Sequence, residues 1–135
     1  ALMIIKGEKF PLEGGGQVKK SFMHCRDIAE AIFSVLKYGK VGEIYNAGVD
    51  KPVSMRRLVE IVCKQLDKNF DEYVEITKGR SGEDKQYWLD SSKLFNHTGW
   101  KAKISLEEGI EETVSWVKTN ISKFENENLN FTLRA

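Results

Sequence analysis

Tyr73-Val74-Glu75-Ile76-Thr77-Lys78-Gly79-Arg80-Ser81-Gly82-Glu83-Asp84, followed by Tyr87, Asp90 and Lys93, is the most informative stretch of this chain. Tyr73 to Thr77 alternates like a half-buried strand. It runs directly into a glycine-containing loop, and helical patterns lie before and after it. Loops at strand ends are where α/β proteins place ligand contacts. Arg80 can hold a phosphate with a planar two-pronged fork, and Gly82 lets backbone come close to a ligand. The same residues also read as a surface Arg–Asp pair beside a glycine turn.

The wider composition restricts the choices. A chain of 135 residues buries one core, so one domain is expected. Hydrophobic content of 41% with 30% charged residues is that of a globular protein. With 21 basic and 20 acidic residues the formal net charge is +1, so no bulk field recruits nucleic acid or a membrane, and any anion site has to be local. Cys25 and Cys63 fall inside helical patterns as small apolar residues, with no clustered ligands beside them. They suggest neither a metal site nor a disulfide framework, and a reducing, cytoplasmic setting is expected. The apolar run Leu2 to Ile5 is too short to span a membrane.

Several elements can be read outward from that stretch. Residues 1–6 read as the end of a helix, and the chain as a piece of a larger α/β protein. Phe10 to Glu13 is extended. Gly14-Gly15-Gly16 then forms either a tight turn with a backbone anion nest or a plain hairpin loop. No GxGxxG pattern is present. Ser21 to Cys25 is expected as a strand. Asp27 opens a helix to about Tyr38, with apolar positions Ile28, Ile32, Val35 and Leu36. Glu43 to Ala47 is expected as a strand closed by Gly48. Ser54 caps a helix whose stripe is Leu58, Ile61, Val62 and Leu66. Asp90 caps a short helix ending at Gly99, with Trp100 packing back on it. Ser105 and Glu108 form a capping box for a last helix with Leu106, Ile110, Val114, Val117 and Ile121 on one face. The acidic residues Glu107, Glu108, Glu111 and Glu112 suit the helix dipole and read as a solvated face rather than a metal site. The fold class is therefore a mixed α/β lobe over residues 1–124, with a loose tail over 125–135.

Four segments resemble one family in one order. Gly16-Gln17-Val18-Lys19-Lys20-Ser21-Phe22-Met23-His24-Cys25-Arg26-Asp27 is similar to the glycine turn, basic residue and strand of nucleotide-sugar 4,6-dehydratases. Gly42-Glu43-Ile44-Tyr45-Asn46-Ala47-Gly48 resembles their "GExYNxG", and Arg80 to Asp84 with Tyr87 and Asp90 resembles "RPGHDxxYxxD". Thr98-Gly99-Trp100 with Ser105 to Trp116 resembles their "LGW" and final helix. The match covers about residues 1–120. The family is the NAD-dependent epimerase/dehydratase group of the extended short-chain dehydrogenase/reductases, closest to dTDP-glucose 4,6-dehydratase-like enzymes.

This resemblance implies a C-terminal, nucleotide-sugar-binding part of an extended Rossmann-type enzyme. The family's dinucleotide turn and its Tyr-x-x-x-Lys base are not found here: no tyrosine has a lysine four residues later. No catalytic residue, cofactor ligand or metal ligand is therefore expected in this chain, and NAD is expected for the parent enzyme. By the resemblance, Lys20 and Arg80 grip the diphosphate, Gly82 and Glu83 lie beside it, and Pro11 and Leu12 run along the nucleobase through backbone contacts. Lys20 stands where the family has Arg, which keeps the charge but loses the fork. Glu83 replaces the family's His, and Ser81 its Pro. Asn46, Tyr87 and Asp90 are expected to tie strand to loop, and His24 to pack. The expected partner is a nucleoside-diphosphate sugar, with self-association possible through the face that a Rossmann half would cover. The alternative is a stand-alone or truncated non-catalytic binding or interaction domain.

Overall fold

The computed structural model describes residues 1–82 and 84–125. Glu83 and residues 126–135, nearly all of the expected tail, lie outside the described residues. Helix α1 (Leu2–Ile5) leads to strand β1 (Phe10–Glu13), a 3-10 turn (Gly14–Gly16) and strand β2 (Lys19–Lys20). Helix α2 (Cys25–Tyr38) follows, then β3 (Val53–Ser54), α3 (Met55–Gln65), α4 (Phe70–Tyr73), β4 (Val74–Thr77) and β5 (Gln86–Tyr87). Helices α5 (Ser92–Thr98) and α6 (Leu106–Thr119) and a 3-10 turn (Ile121–Phe124) complete the chain's order.

The strands form two small sheets. β1 pairs parallel with β4, Phe10 opposite Val74 and Glu13 opposite Thr77. β2 lies between β3, to which it is antiparallel, and β5, to which it is parallel. The triple-glycine segment is thus a turn and not a hairpin loop, because β1 finds its partner 64 residues away, Phe10 opposite Val74, instead of in β2. Leu12 and Val74, one from each strand of the first sheet, are buried against Ile4, Val59 and Cys63. Helices α3 and α6 enclose a neighbouring cluster of Ile61, Ile110 and Val114, and a separate one gathers Ala31, Leu94 and Trp100. Burial raises the pKa of the Cys63 thiol, whereas Cys25 is exposed, against its expected apolar role.

The helix caps follow the sequence closely. The Ser54 hydroxyl accepts the Arg57 amide, and Ser105 and Glu108 form the reciprocal capping box. The short helix α5 starts at Ser92, and the Asp90 carboxylate accepts both the amide and the hydroxyl of Ser92. Ile121 leaves the α6 stripe, because that helix ends at Thr119.

Several expected features are corrected. The strand placed at Ser21 to Cys25 is Lys19–Lys20, because His24 already caps α2 by accepting the Arg26 amide on its Nδ1. His24 is therefore a helix cap rather than a strand residue, although it does pack, with a side chain 10% exposed and lying against Gly109 of α6. Glu43 to Ala47 pairs with no strand among the described residues. Tyr73 belongs to α4, so β4 begins one residue later, and Ile76 points outward at 58% exposure. The apolar stripe of α2 also faces the other way from the core: Ile28, Ile32 and Leu36 are exposed, while Asp27 and Ala31 are buried.

Asp27 is 1% exposed and is the sole buried charged residue among those described. Its two carboxylate oxygens accept the amides of Lys103 and Ile104, at 3.1 and 3.0 Å. This clamps α2 to the segment entering α6. Asp27→Ala leaves both amides without an acceptor and is expected to destabilise the fold by about 3 kcal/mol, with Asp27→Asn recovering part of it, measured by urea unfolding.

Gly16 is buried with φ +68°, and a Cβ there would stand 2.6 Å from the Arg56 amide nitrogen and 2.9 Å from Leu12. Gly16→Ala is expected to lower stability by more than about 1 kcal/mol, since both the backbone and the space oppose a side chain. Chemical unfolding of the variant checks this.

The Ser105 hydroxyl, then its amide, hold the Glu108 carboxyl below its ordinary value of 4.5. A lowered folded pKa gives stability that is complete above pH 4.5 and lost as pH falls through the folded value. Melting temperature followed down this acid limb is expected to fall less steeply in Glu108→Gln than in the wild type.

Candidate functional site

The site starts at the C-terminal ends of the parallel pair β1–β4. Two loops leave those ends together: Gly14–Gly16 after β1 and Lys78–Gly82 after β4. They touch through glycines. A Cβ on Gly79 would stand 3.1 Å from the Gly14 Cα, so a larger residue there would press on the other loop, while Gly14 holds a φ of +55° that side chains disfavour. The close approach sets Arg80 beside the end of β1, where its Nε donates to the Glu13 carboxylate at 2.7 Å. Arg80 and Glu13 side chains are both partly open to solvent, at 49% and 36%.

Lys20 arrives by a different route. It ends β2, opposite Tyr87 of β5 in the parallel register. The strand β5 follows the Arg80 loop, so pairing β2 with β5 carries Lys20 to that loop. Lys20, Arg80, Ser81, Gly82, Asp84 and Tyr87 line one pocket of about 470 Å³. Two cations 60 positions apart in the chain thus share one concave surface with a glycine and two hydroxyl-bearing residues. Such a surface can hold an anion: a guanidinium offers planar paired donors and an ammonium a point charge. Asp84 brings one carboxylate to the same wall, which disfavours a second anion near it and leaves a hydroxyl-bearing group as its natural partner.

The other expected contacts divide. Pro11 is exposed on β1, but the Leu12 side chain is buried at 3% in the first core, so only its backbone can face a ligand. Gly82, with φ +78°, lies in the pocket wall. Glu83 lies outside the described residues. Tyr87, expected to be structural, is exposed and lines the pocket. Its position follows from a two-residue strand pairing that no local pattern signals. Glu13 also had no signal: its link to Arg80 depends on the β1–β4 register.

A larger pocket, about 600 Å³, lies between Gly48–Lys51, Asp90–Ser92 and Trp100–Ala102. Three of its polar side chains are committed to the chain itself, while Asp50, Lys51 and Lys101 also line it and the Trp100 Nε1 is buried without a hydrogen-bond partner among the described residues. The Ser91 hydroxyl donates to the Gly48 carbonyl, and the amide and hydroxyl of Ser92 hold the Asp90 carboxyl below its usual range. Both pockets are lined by two cations, but only the smaller one has a guanidinium, whose planar paired donors suit a phosphate, and it gathers the residues of the 80–87 loop, so it is the better candidate. The acidic residues of α6 disperse over separate partners: Glu107 meets Arg57, Glu108 meets Ser105, and Glu112 meets Arg26.

This geometry can be set beside known proteins. The model of the family described as GDP-mannose 4,6 dehydratase matches residues 1–113. The chain is 33% identical over 124 residues to dTDP-glucose 4,6-dehydratase of Xanthomonas campestris pv. campestris, covering 86% of the chain and 35% of that relative. It is 31% identical over 119 residues to a trifunctional UDP-glucose 4,6-dehydratase/UDP-4-keto-6-deoxy-D-glucose 3,5-epimerase/UDP-4-keto-L-rhamnose-reductase of Arabidopsis thaliana, covering 88% of the chain and 18% of the relative. Among solved structures, dTDP-glucose 4,6-dehydratase of Bacillus anthracis in complex with NAD superimposes with a TM-score of 0.81 at 32% identity, over 89% of this chain and 37% of that one. UDP-glucose 4-epimerase of Thermotoga maritima with UDP-glucose reaches a TM-score of 0.81 at 22% identity, over 89% and 38%, a likeness of fold. The chain therefore spans little more than a third of the dehydratases it superimposes on. With its mixed α/β architecture and a family model matched over 113 of 135 residues, the chain belongs to the GDP-mannose 4,6 dehydratase family, within the NAD-dependent nucleotide-sugar dehydratases and epimerases of the extended short-chain dehydrogenase/reductases.

Proposed function

We propose that this chain is the C-terminal nucleotide-sugar-binding region of an NAD-dependent nucleotide-sugar 4,6-dehydratase or epimerase, and that it is not catalytic by itself. The observation that carries this reading is the shared pocket of Lys20 and Arg80 at the ends of β1–β4 and β2–β5. In this reading the two cations bind the diphosphate, Arg80 through its guanidinium face and Lys20 as a single charge. Gly82 lets the backbone approach, Tyr87 and Ser81 supply hydroxyls, and the backbone of Pro11 and Leu12 borders the base. Glu83 belongs to the same proposed contact set by its place in the sequence. The ligand class is a nucleoside-diphosphate sugar.

The described residues do not fit a dinucleotide pyrophosphate. Their one triple-glycine turn leads from β1 into β2 and not into a helix N-terminus, so it lacks the strand–turn–helix arrangement that such a group uses. NAD is accordingly assigned to the length of the relatives beyond the match, together with the hydride transfer it supports. No helix among the described residues is long and apolar enough to cross a membrane, and neither cysteine is in a disulfide. Both support a cytoplasmic placement.

Two measurements test the reading. Calorimetry with UDP and dTDP on the wild type, Arg80→Ala and Lys20→Ala is expected to give weak binding that each substitution weakens. The loss at Arg80 is expected to be about 1–2 kcal/mol, reduced from a buried charged hydrogen bond by its half exposure. Equal affinities of wild type and Arg80→Ala would show that this loop is an ordinary surface. The purified chain with NAD and a nucleotide sugar is expected to give no turnover; NAD-dependent conversion would overturn its non-catalytic assignment.

A further inference from the structure

Arg80 does not stand in its pocket as a bare cation. Gly14 and Gly79 touch where the two loops leave β1 and β4, and the residues flanking that contact, Glu13 before Gly14 and Arg80 after Gly79, form an ion pair across it. Glu13 ends β1 opposite Thr77, so the parallel register fixes its place. Its carboxylate accepts from the Arg80 Nε at 2.7 Å. Asp84 puts a second carboxylate on the pocket wall itself. Lys20 and Arg80 are thus matched by Glu13 and Asp84, two positive charges against two negative. The lysines of the same segments, Lys19, Lys78 and Lys85, do not line the pocket. A surface with two cations and no net charge gains little from each further negative charge on its ligand.

We infer that Glu13 and Asp84 set the charge specificity of this site: they make it select a diphosphate esterified by a sugar over the free nucleoside diphosphate. The inference rests on the nucleotide-binding reading proposed above and adds the residues that discriminate. A diphosphate joined to a sugar at both ends has one acidic oxygen on each phosphorus and carries about two negative charges at neutral pH. The terminal phosphate of a free nucleoside diphosphate loses a second proton near pH 6, about as any phosphate monoester does, and brings the total close to three. The two ligands therefore differ by one charge and by the hydroxyls of the sugar.

Both differences meet a carboxylate. A phosphate gripped by the Arg80 guanidinium lies within roughly 6 Å of the Glu13 carboxylate, whichever edge of the guanidinium it takes. At that distance one added charge costs about threefold in affinity with the dielectric of water, and more where the surface excludes water. Arg80 and Glu13 are both partly hydrated, which keeps the penalty near the lower value. Asp84 acts in the same direction. A carboxylate is an acceptor only, so it can take hydrogen bonds from the hydroxyls of a sugar and none from a bare phosphate. The sugar ester gains a contact where the free diphosphate meets a repulsion.

Titration calorimetry of the chain with UDP, UDP-glucose, dTDP and dTDP-glucose at neutral pH tests this. For the base that binds better, the wild type is expected to hold the glucose ester at least about fivefold tighter than the free diphosphate. Glu13→Gln and Asp84→Asn keep the side-chain size and remove the charge. Each is expected to keep the wild-type circular dichroism and to cut the preference about threefold, with the free diphosphate bound more tightly than before. Arg80→Ala is expected to weaken both ligands. A wild type without the preference, or one whose preference either carboxylate variant leaves intact, overturns the inference, while an affinity that depends on Arg80 keeps the nucleotide site. Equal weakening of both ligands by Glu13→Gln also overturns it, since Glu13 would then only orient Arg80. If none of the four ligands binds, or if Arg80→Ala changes nothing, the nucleotide-binding reading falls and the inference with it.

Discussion

Asp27 sits at the centre of this structure because a buried carboxylate has to satisfy both of its oxygens, and here both are used on one distant segment. By accepting the Lys103 and Ile104 amides, it fixes where the chain enters α6. That entry point determines which face of α6 meets α3 through Ile110, Val114 and Ile61. The same residue turns α2 inward on its Asp27–Ala31 side, so the apolar stripe has to point away. One polar requirement thus decides which side of α2 meets this core, because an unpaired buried carboxylate is costly.

The site is built from two independent pairings. The parallel register of β1 and β4 brings two loops to one end, and the glycines at 14 and 79 let them touch. The short pairing of β2 with β5 brings Lys20 to the same place. Neither sheet alone makes the pocket. The cations are positioned by backbone ladders rather than by contact with each other, as two like charges on one surface require. The ion pair of Arg80 with Glu13 adds a local orientation to the guanidinium at little net energy, as both groups remain partly hydrated.

Family membership agrees with this construction and also bounds it. The superposition on solved dehydratases is close over nine-tenths of the chain and covers little more than a third of theirs. The outward face of α2 and the unpaired Glu43 to Ala47 segment lie on one consecutive stretch, which contributes hydrophobic surface without a partner among the described residues. Elsewhere the buried apolar residues gather in three clusters, with single exposed side chains such as Ile76, Trp88, Phe95 and Trp116 around them.

Sequence alone determined what depends on near neighbours. The Ser54 and Ser105 caps, the stop at Gly99, and the periodic faces of α3 and α6 all follow from residue type and spacing within a few positions. The resemblance of four ordered motifs added the family. Tertiary structure decided what depends on distant partners. Whether Glu43 to Ala47 pairs, whether the triple glycine closes a hairpin, and whether Tyr87 reaches the pocket were all set by strands far apart in the chain. It also decided which side of α2 is the inside. The helical period of Ile28, Ile32 and Leu36 states that one face is apolar, but periodicity carries no information on where the core lies. That was settled by a short polar residue, Asp27, whose two acceptors could be met only by amides 76 and 77 positions away.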